Sequence, residues 1–252
     1  MTRITDIVDN RAAEGFVAEH GLSLLIEHGN ERILFDTGAG TALRPNAAKL
    51  GVDLCGVTRI VLSHSHNDHT GGLGGLAPKC PIHVGDGFDV PCFSKHADGS
   101  VHSLVVPPDA QAVLEAADVR VGRQFGEIAK GVYLSGRIER TSGEDNGKSF
   151  YCDESCAERN YVLEEQALLT EDGVLVTGCV TPVSSTPSSR SAAPCHTSQF
   201  ARLSADFTCA MRRTMRLNGR ANSSDNSSST NSSSFTARAK RRARGSTARR
   251  RG

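Results

Sequence analysis

Residues 60–76, I-V-L-S-H-S-H-N-D-H-T-G-G-L-G-G-L, constrain this chain more than any other stretch. Three histidines and an aspartate (His64, His66, Asp68, His69) fall within six positions, after a β-branched and leucine run that reads as a buried strand and before a glycine-rich turn. A regular strand alternates its side chains between two faces, whereas an irregular loop at a strand end can aim successive side chains at one point. Imidazole nitrogen and carboxylate oxygen are ligands for zinc, iron or manganese, so this density of both reads as a metal site. The competing reading is a polar loop with solvated histidines, which does not account for four ligand-type residues at this spacing.

The pattern H-x-H-x-D-H-x-G-G, complete here, resembles the signature of the metallo-β-lactamase superfamily. The resemblance implies that His64 and His66 serve one metal and Asp68 and His69 a second, about 3.5 Å away with a hydroxide between them. Two zinc ions are the expected cofactors, with iron or manganese as alternatives, and Asp68 is the expected catalytic residue, orienting the nucleophile. L-F-D-T-G (Leu34 to Gly38) resembles the second motif of that superfamily, which makes Asp36 either an orienting carboxylate for a ligand histidine or an ordinary turn aspartate. E-H-G-L-S (Glu19 to Ser23) and E-Q-A-L (Glu165 to Leu168) are similar to a narrower subgroup, which includes archaeal synthases joining a dihydropterin to a ribofuranosylaminobenzene phosphate. On that pattern His20 lines the substrate cleft. G-R-I-E-R (Gly136 to Arg140) resembles a G-E-I-x-R segment of the subgroup, with Arg137 in place of the glutamate.

Alternation and turn chemistry place strands at Gly21 to Glu27 and Arg32 to Phe35, joined through His28-Gly29-Asn30, and at Arg59 to Ser63, Ile82 to Val84, Val101 to Val106, Val119 to Val121 and Gly131 to Leu134. A second hairpin joins Glu165 to Thr170 with Val174 to Gly178 across Glu171-Asp172-Gly173. Helices are expected at Asn46 to Leu50, stopped by Gly51, and at Ala110 to Ala117, with Thr70 capping another that begins at Gly71. Gly85 to Gly99 reads as a loop. His83, His96 and His102 lack ligand spacing and read as ordinary histidines; Cys152 and Cys156 read as a plain thiol pair rather than a metal site. Together with the resemblance, which covers residues 1–179, this order gives an α/β fold: a four-layer αββα sandwich, two sheets face to face with helices on both outer faces, whose second half is incomplete.

Charge divides the chain. Residues 1–179 carry 15 Lys and Arg against 26 Asp and Glu, and residues 180–252 carry 14 against 2. One metallo-β-lactamase-like domain over 1–179 and a low-complexity basic tail over 180–252 are expected. No apolar run of 18 residues occurs and the N-terminus has no apolar core of a leader, so a cytoplasmic protein with reduced cysteines and no membrane partner is expected. The tail holds three aromatic residues, Phe200, Phe207 and Phe235, too few stacking platforms for single strands, so a nucleic-acid partner is not expected.

The superfamily's third metal motif, G-C-S-H-A-G in this subgroup, should follow the second hairpin. Gly178-Cys179 are present, but Val180-Thr181-Pro182 follow. Codons for Val180 to Pro187, GTN ACN CCN GTN TCN TCN ACN CCN, read one base out of register, allow S-H-A-G-I-V-N-T with histidine over Thr181. The same shift allows G-G-F-H-L across Ser204 to Cys209, with histidine over Thr208, and H-C-T-G across Phe235 to Ala239. The tail therefore reads as an out-of-frame, disordered translation of the domain's own second half, which would leave the chain as written poorly soluble or inactive. Three functions stay open: a metal-dependent hydrolase of an ester, phosphoester or similar small electrophile; a transferase condensing a dihydropterin with a ribofuranosylaminobenzene phosphate; and a non-catalytic nucleic-acid binder acting through the tail. Substrate and oligomeric state are not encoded in any motif.

Overall fold

The computed structural model describes residues 1–138, 149–178 and the strand at 200–202. Glu139 and Arg140 of the G-R-I-E-R segment and the positions of Thr181, Thr208 and Phe235 to Ala239 lie outside the described residues.

The first sheet is six strands in the order β1 (Arg3–Val8), β2 (Ser23–His28), β3 (Glu31–Phe35), β4 (Arg59–Val61), β5 (Ile82–Gly85) and β8 (Val119–Gly122). Its first three strands are antiparallel and the rest run parallel to β3. Parallel neighbours need crossovers, and two are supplied by α1 (Leu43–Leu50) and α3 (Pro108–Ala116). α1 stops at Gly51, whose φ of 68° only glycine adopts without strain and whose N–H bonds the Ala48 carbonyl. The second sheet is antiparallel, in the order β14 (Phe200–Arg202), β13 (Val174–Val176), β12 (Leu168–Thr170), β10 (Val132–Leu134) and β9 (Gly126–Ala129). Its edge strand β14 comes from the basic tail, where the sequence gives no strand signal.

Alternation along β2 builds two cores from one strand. Leu25 joins Ile7, Leu34, Ile60, Leu62, Ile82 and Val84 against Leu43, Ala47, Ala110 and Leu114 of the helices. Leu24 and Ile26 face the other way and pack with Ile33, Phe35 and Val61 against Val132, Leu134, Leu168 and Val176 of the second sheet. Full burial of each such side chain contributes about 1.5–3 kcal/mol, so the two interlayer seams dominate stability. Helices, sheet and sheet are three of the four expected layers. On the second sheet, register leaves Tyr133, Leu169 and Leu175 in one cross-strand row on the face opposite that core.

Three local expectations need correction. Thr70 does not cap a helix starting at Gly71: a one-turn helix, α2 (Asn67–Thr70), begins earlier, and the Thr70 hydroxyl donates back to the His66 carbonyl at 3.0 Å. Gly71–Gly75 follow as a 3-10 turn. The strand expected over Val101 to Val106 is only β7 (Val101–Ser103), because Pro107 and Pro108 begin the next helix. The loop expected over Gly85 to Gly99 contains β6 (Phe93–Lys95), which joins β7 and β11 (Phe150–Tyr151) in a third, three-stranded sheet. Among the described residues no helix is long and apolar enough to cross a membrane, and none of the five described cysteines forms a disulfide.

Candidate metal centre

The ends of β3 and β4 carry the site. Parallel pairing ends with Phe35 beside Val61, and the Asp36 N–H continues it to the Val61 carbonyl at 2.8 Å. Asp36 then takes φ of 58°, a conformation in which aspartate is one of few tolerated residues, and its side chain turns under the next loop. There the fully buried carboxylate accepts three hydrogen bonds at 2.7 Å each: from the Ser63 N–H, the Ser63 hydroxyl and His69 Nδ1. Because the Ser63 proton goes to Asp36, His64 Nδ1–H must be the donor in its 2.9 Å contact with Ser63 Oγ. One carboxylate thus sets the tautomers of two histidines.

The four motif residues lie close together. The His64 ring lies 4.4 Å from the His66 ring and 4.2 Å from the His69 ring, centroid to centroid. Asp68 Oδ2 is 3.6 Å from His69 Nε2. All four are buried, His69 completely. Burial draws the His69 pKa down, and the carboxylates of Asp36 and Asp68 outweigh it, so the net shift is upward. His20, exposed, has Nε2 3.4 Å from Asp68 Oδ2. Glu164, buried, accepts from the Ser65 hydroxyl at 2.8 Å, and the Gln166 side chain donates to the Leu62 carbonyl at 2.9 Å, which ties β12 to the motif loop.

Glycines let the loops approach. A Cβ on Gly72 would run into the Thr37 carbonyl oxygen, one on Gly71 into the Ala39 carbonyl, and one on Gly21 into the Asp68 carbonyl. Gly178 packs the same way against the Ser63 hydroxyl, so the chain that leaves β13 passes directly over the pair that holds His64.

Several supports were not legible as site residues. The Glu19 carboxylate accepts from the N–H groups of Ala39, Thr41 and Ala42 at 2.8–3.1 Å, pinning the loop after Asp36; E-H-G-L-S contains it, but the partners lie 20–23 residues on. Cys92, buried, sits 3.2 Å from His66 Nε2, and burial pushes its thiol up to about 12, so it stays protonated. The remaining histidines stand apart. His83 on β5 is held at about 4 by burial and by Arg120 and Arg59. His96 and His102 face each other across the exposed β6–β7 hairpin, rings 4.5 Å apart. Cys152 and Cys156 turn to separate carbonyls, those of Arg159 and Glu154.

Three imidazoles and a carboxylate suit zinc, iron or manganese in kind, and two of the rings already have Nδ1 committed to a protein acceptor. Among the described residues no group of three or more His, Cys, Asp or Glu is drawn to metal-holding spacing.

Comparison with known proteins bears on the family and the fold. The family model described as the metallo-beta-lactamase superfamily matches residues 17–85. An uncharacterised protein of Methanocaldococcus jannaschii is 30% identical over 173 residues, 69% of this chain and 67% of that protein. The 7,8-dihydropterin-6-methyl-4-(beta-D-ribofuranosyl)-aminobenzene-5'-phosphate synthase of the same organism is 44% identical over 68 residues, 24% of this chain and 22% of the synthase. A solved structure described as a metal-dependent hydrolase of the beta-lactamase superfamily is similar with TM-score 0.58 and 26% identity, covering 69% of this chain and 64% of that one. The chain therefore spans just under two thirds of that hydrolase and under a quarter of the synthase. With the motif loop, the facing sheets and these matches in agreement, the chain belongs to the metallo-beta-lactamase superfamily.

Proposed function

We propose that the chain carries the larger part of a metal-dependent hydrolase centre, with His64 and His66 on one ion, Asp68 and His69 on a second, and zinc ahead of iron or manganese. The observation that carries this reading is the buried trio of imidazoles 4.2–4.4 Å apart, two of them oriented by one carboxylate. When bound, such ions supply Lewis acidity, polarising an ester or phosphoester and making water acidic enough to deprotonate near neutral pH. Asp36 keeps a proton on Nδ1 of His69 and, through Ser63, on Nδ1 of His64. Asp68, between His20 and His69, is the group positioned to orient the nucleophile and accept its proton at Oδ2. His20 at the mouth meets the small-molecule substrate, and Glu19 fixes the loop that walls the cleft.

A transferase joining a dihydropterin to a ribofuranosylaminobenzene phosphate is the second reading, favoured by the 68-residue match at 44% identity. Turnover separates the two. Release of product from a panel of lactones and phosphodiesters in water supports the hydrolase; turnover only when a pterin diphosphate and an aminobenzene ribotide are both present supports the transferase and overturns the first reading.

Residues 180–252 we read as an out-of-frame stretch of the same domain, of which the described part is β14, paired with β13. Gly178 lies against Ser63, so a histidine encoded three residues on, at up to about 3.5 Å per residue, is within reach of the cluster. Tyr133 and Leu175, half-buried on the outer face of the second sheet to either side of the buried Leu169, are where a fourth, helical layer would pack. Resequencing should find S-H-A-G in frame after Cys179, and restoring that frame should raise bound metal per chain. A confirmed reading of Val180-Thr181-Pro182, with metal content unchanged by the restored frame, overturns it.

A further inference from the structure

His66 is the imidazole of the cluster that Asp36 does not hold. Its Nε2 lies 3.2 Å from the sulfur of Cys92, 26 residues along the chain. The third sheet brings them together: the Leu104 N–H donates to the Cys92 carbonyl, and the Leu104 carbonyl accepts from the N–H of Asn67, which follows His66, both at 2.9 Å. The ladder that places Cys92 therefore also places the backbone of His66. Phe150 of β11 closes another side, its ring 5.0 Å from that of His66 and inclined by 70°.

We propose that Cys92 is a positioning residue of the metal centre: its sulfur accepts the Nε2–H of His66, which fixes the tautomer whose lone pair is on Nδ1 and presents that atom to the ion. The proposal rests on His66 being a ligand. A neutral imidazole carries one proton, so the nitrogen that donates to the protein is not the one that ligates. Ser63 and Asp36 take Nδ1–H from His64 and His69, which leaves Nε2 as their ligand atom; Cys92 inverts that assignment for His66. A thiol sulfur is a weak acceptor and its S–H a weak donor, so the His66 tautomer reports which of the two the contact uses; as an acceptor, the sulfur orients the ring more than it polarises it. Removing the sulfur removes its share in that preference and lets the Nδ1–H tautomer, which cannot ligate through that atom, gain population.

The test compares the full 252-residue chain with its Cys92→Ser and Cys92→Val variants. Serine keeps an acceptor; valine fills a similar volume without one. Long-range proton–nitrogen correlation spectra of the metal-free proteins report the His66 tautomer, and competition with a chelator reports Zn²⁺ affinity. The wild type and the serine variant should show the Nε2–H form and agree in affinity within about threefold, while the valine variant mixes tautomers and binds Zn²⁺ about 10-fold more weakly. A wild-type His66 in the Nδ1–H form, or a valine variant equal to wild type in both readouts, overturns the proposal. Equal losses in both variants also overturn it, since they reduce Cys92 to a packing contact. A wild type that binds no Zn²⁺ yet holds the Nε2–H form, lost only with valine, counts against the metal-centre reading and supports the hold of Cys92 on the ring.

Discussion

Replacing Asp36 by asparagine isolates the electrostatic part of the site. Asparagine tolerates φ of 58° about as well as aspartate and has the same shape, so the backbone turn after β3 survives. What changes is the acceptor set. Three donors, the Ser63 N–H, the Ser63 hydroxyl and His69 Nδ1–H, converge on the two carboxylate oxygens at 2.7 Å. The asparagine amide offers one oxygen and turns an NH₂ toward at least one of them. Losing one charge-assisted bond and leaving one buried donor unmet costs about 2–4 kcal/mol of stability. The larger effect is on the ligand rings, whose tautomers are no longer imposed; removing such an orienting partner lowers metal affinity about 10–100-fold. Chelator competition with Zn²⁺ measures the second effect and urea unfolding in chelator the first. Asp36→Ala should lose about 1 kcal/mol more than Asp36→Asn, because alanine pays for the left-handed backbone. A folded Asp36→Asn variant whose Zn²⁺ affinity lies within about twofold of wild type refutes the argument that this carboxylate organises the centre.

His83 should make the fold acid-sensitive. Its folded pKa is about 4 against an ordinary 6.5, so above pH 6.5 both states are neutral, and between 6.5 and 4 only the unfolded chain takes up the proton; stability falls over that window by up to about 3 kcal/mol. Urea midpoints at pH 7 and 4.5 should converge in His83→Gln, and an unchanged pH dependence in that variant would assign the effect to other groups. Gly72→Ala should lower the melting temperature far more than Gly51→Ala, since a Cβ at 72 strikes the Thr37 carbonyl while one at 51 meets open space and pays only for its positive φ; equal shifts would show that the motif glycines are not there for close approach.

What the sequence revealed was local. His64 to His69 announces itself because its ligands and the strand that delivers them are contiguous, and the hairpins β2–β3 and β12–β13 show because alternation and turn residues occur together. The missed pieces depend on distant partners. β1, R-I-T-D-I-V, looks polar because only Ile7 and Val8 are buried and its strand character comes from pairing with β2. The third sheet is built from two- and three-residue strands with exposed or half-exposed side chains, which leave no hydrophobic period. Glu19, Ser63 and Cys92 were invisible as site residues because each acts on atoms supplied by another residue. Asp36 was the exception, singled out through its motif; its buried carboxylate lies against His69 Nδ1 and, through Ser63, next to His64.

Metal content of the purified 252-residue chain tests the central claim most directly. The wild type should hold bound zinc or iron, at an occupancy below that of a chain with the third histidine restored, and the His64→Ala, His66→Ala double variant should lose it. Equal metal content in the wild type and the double variant would contradict it.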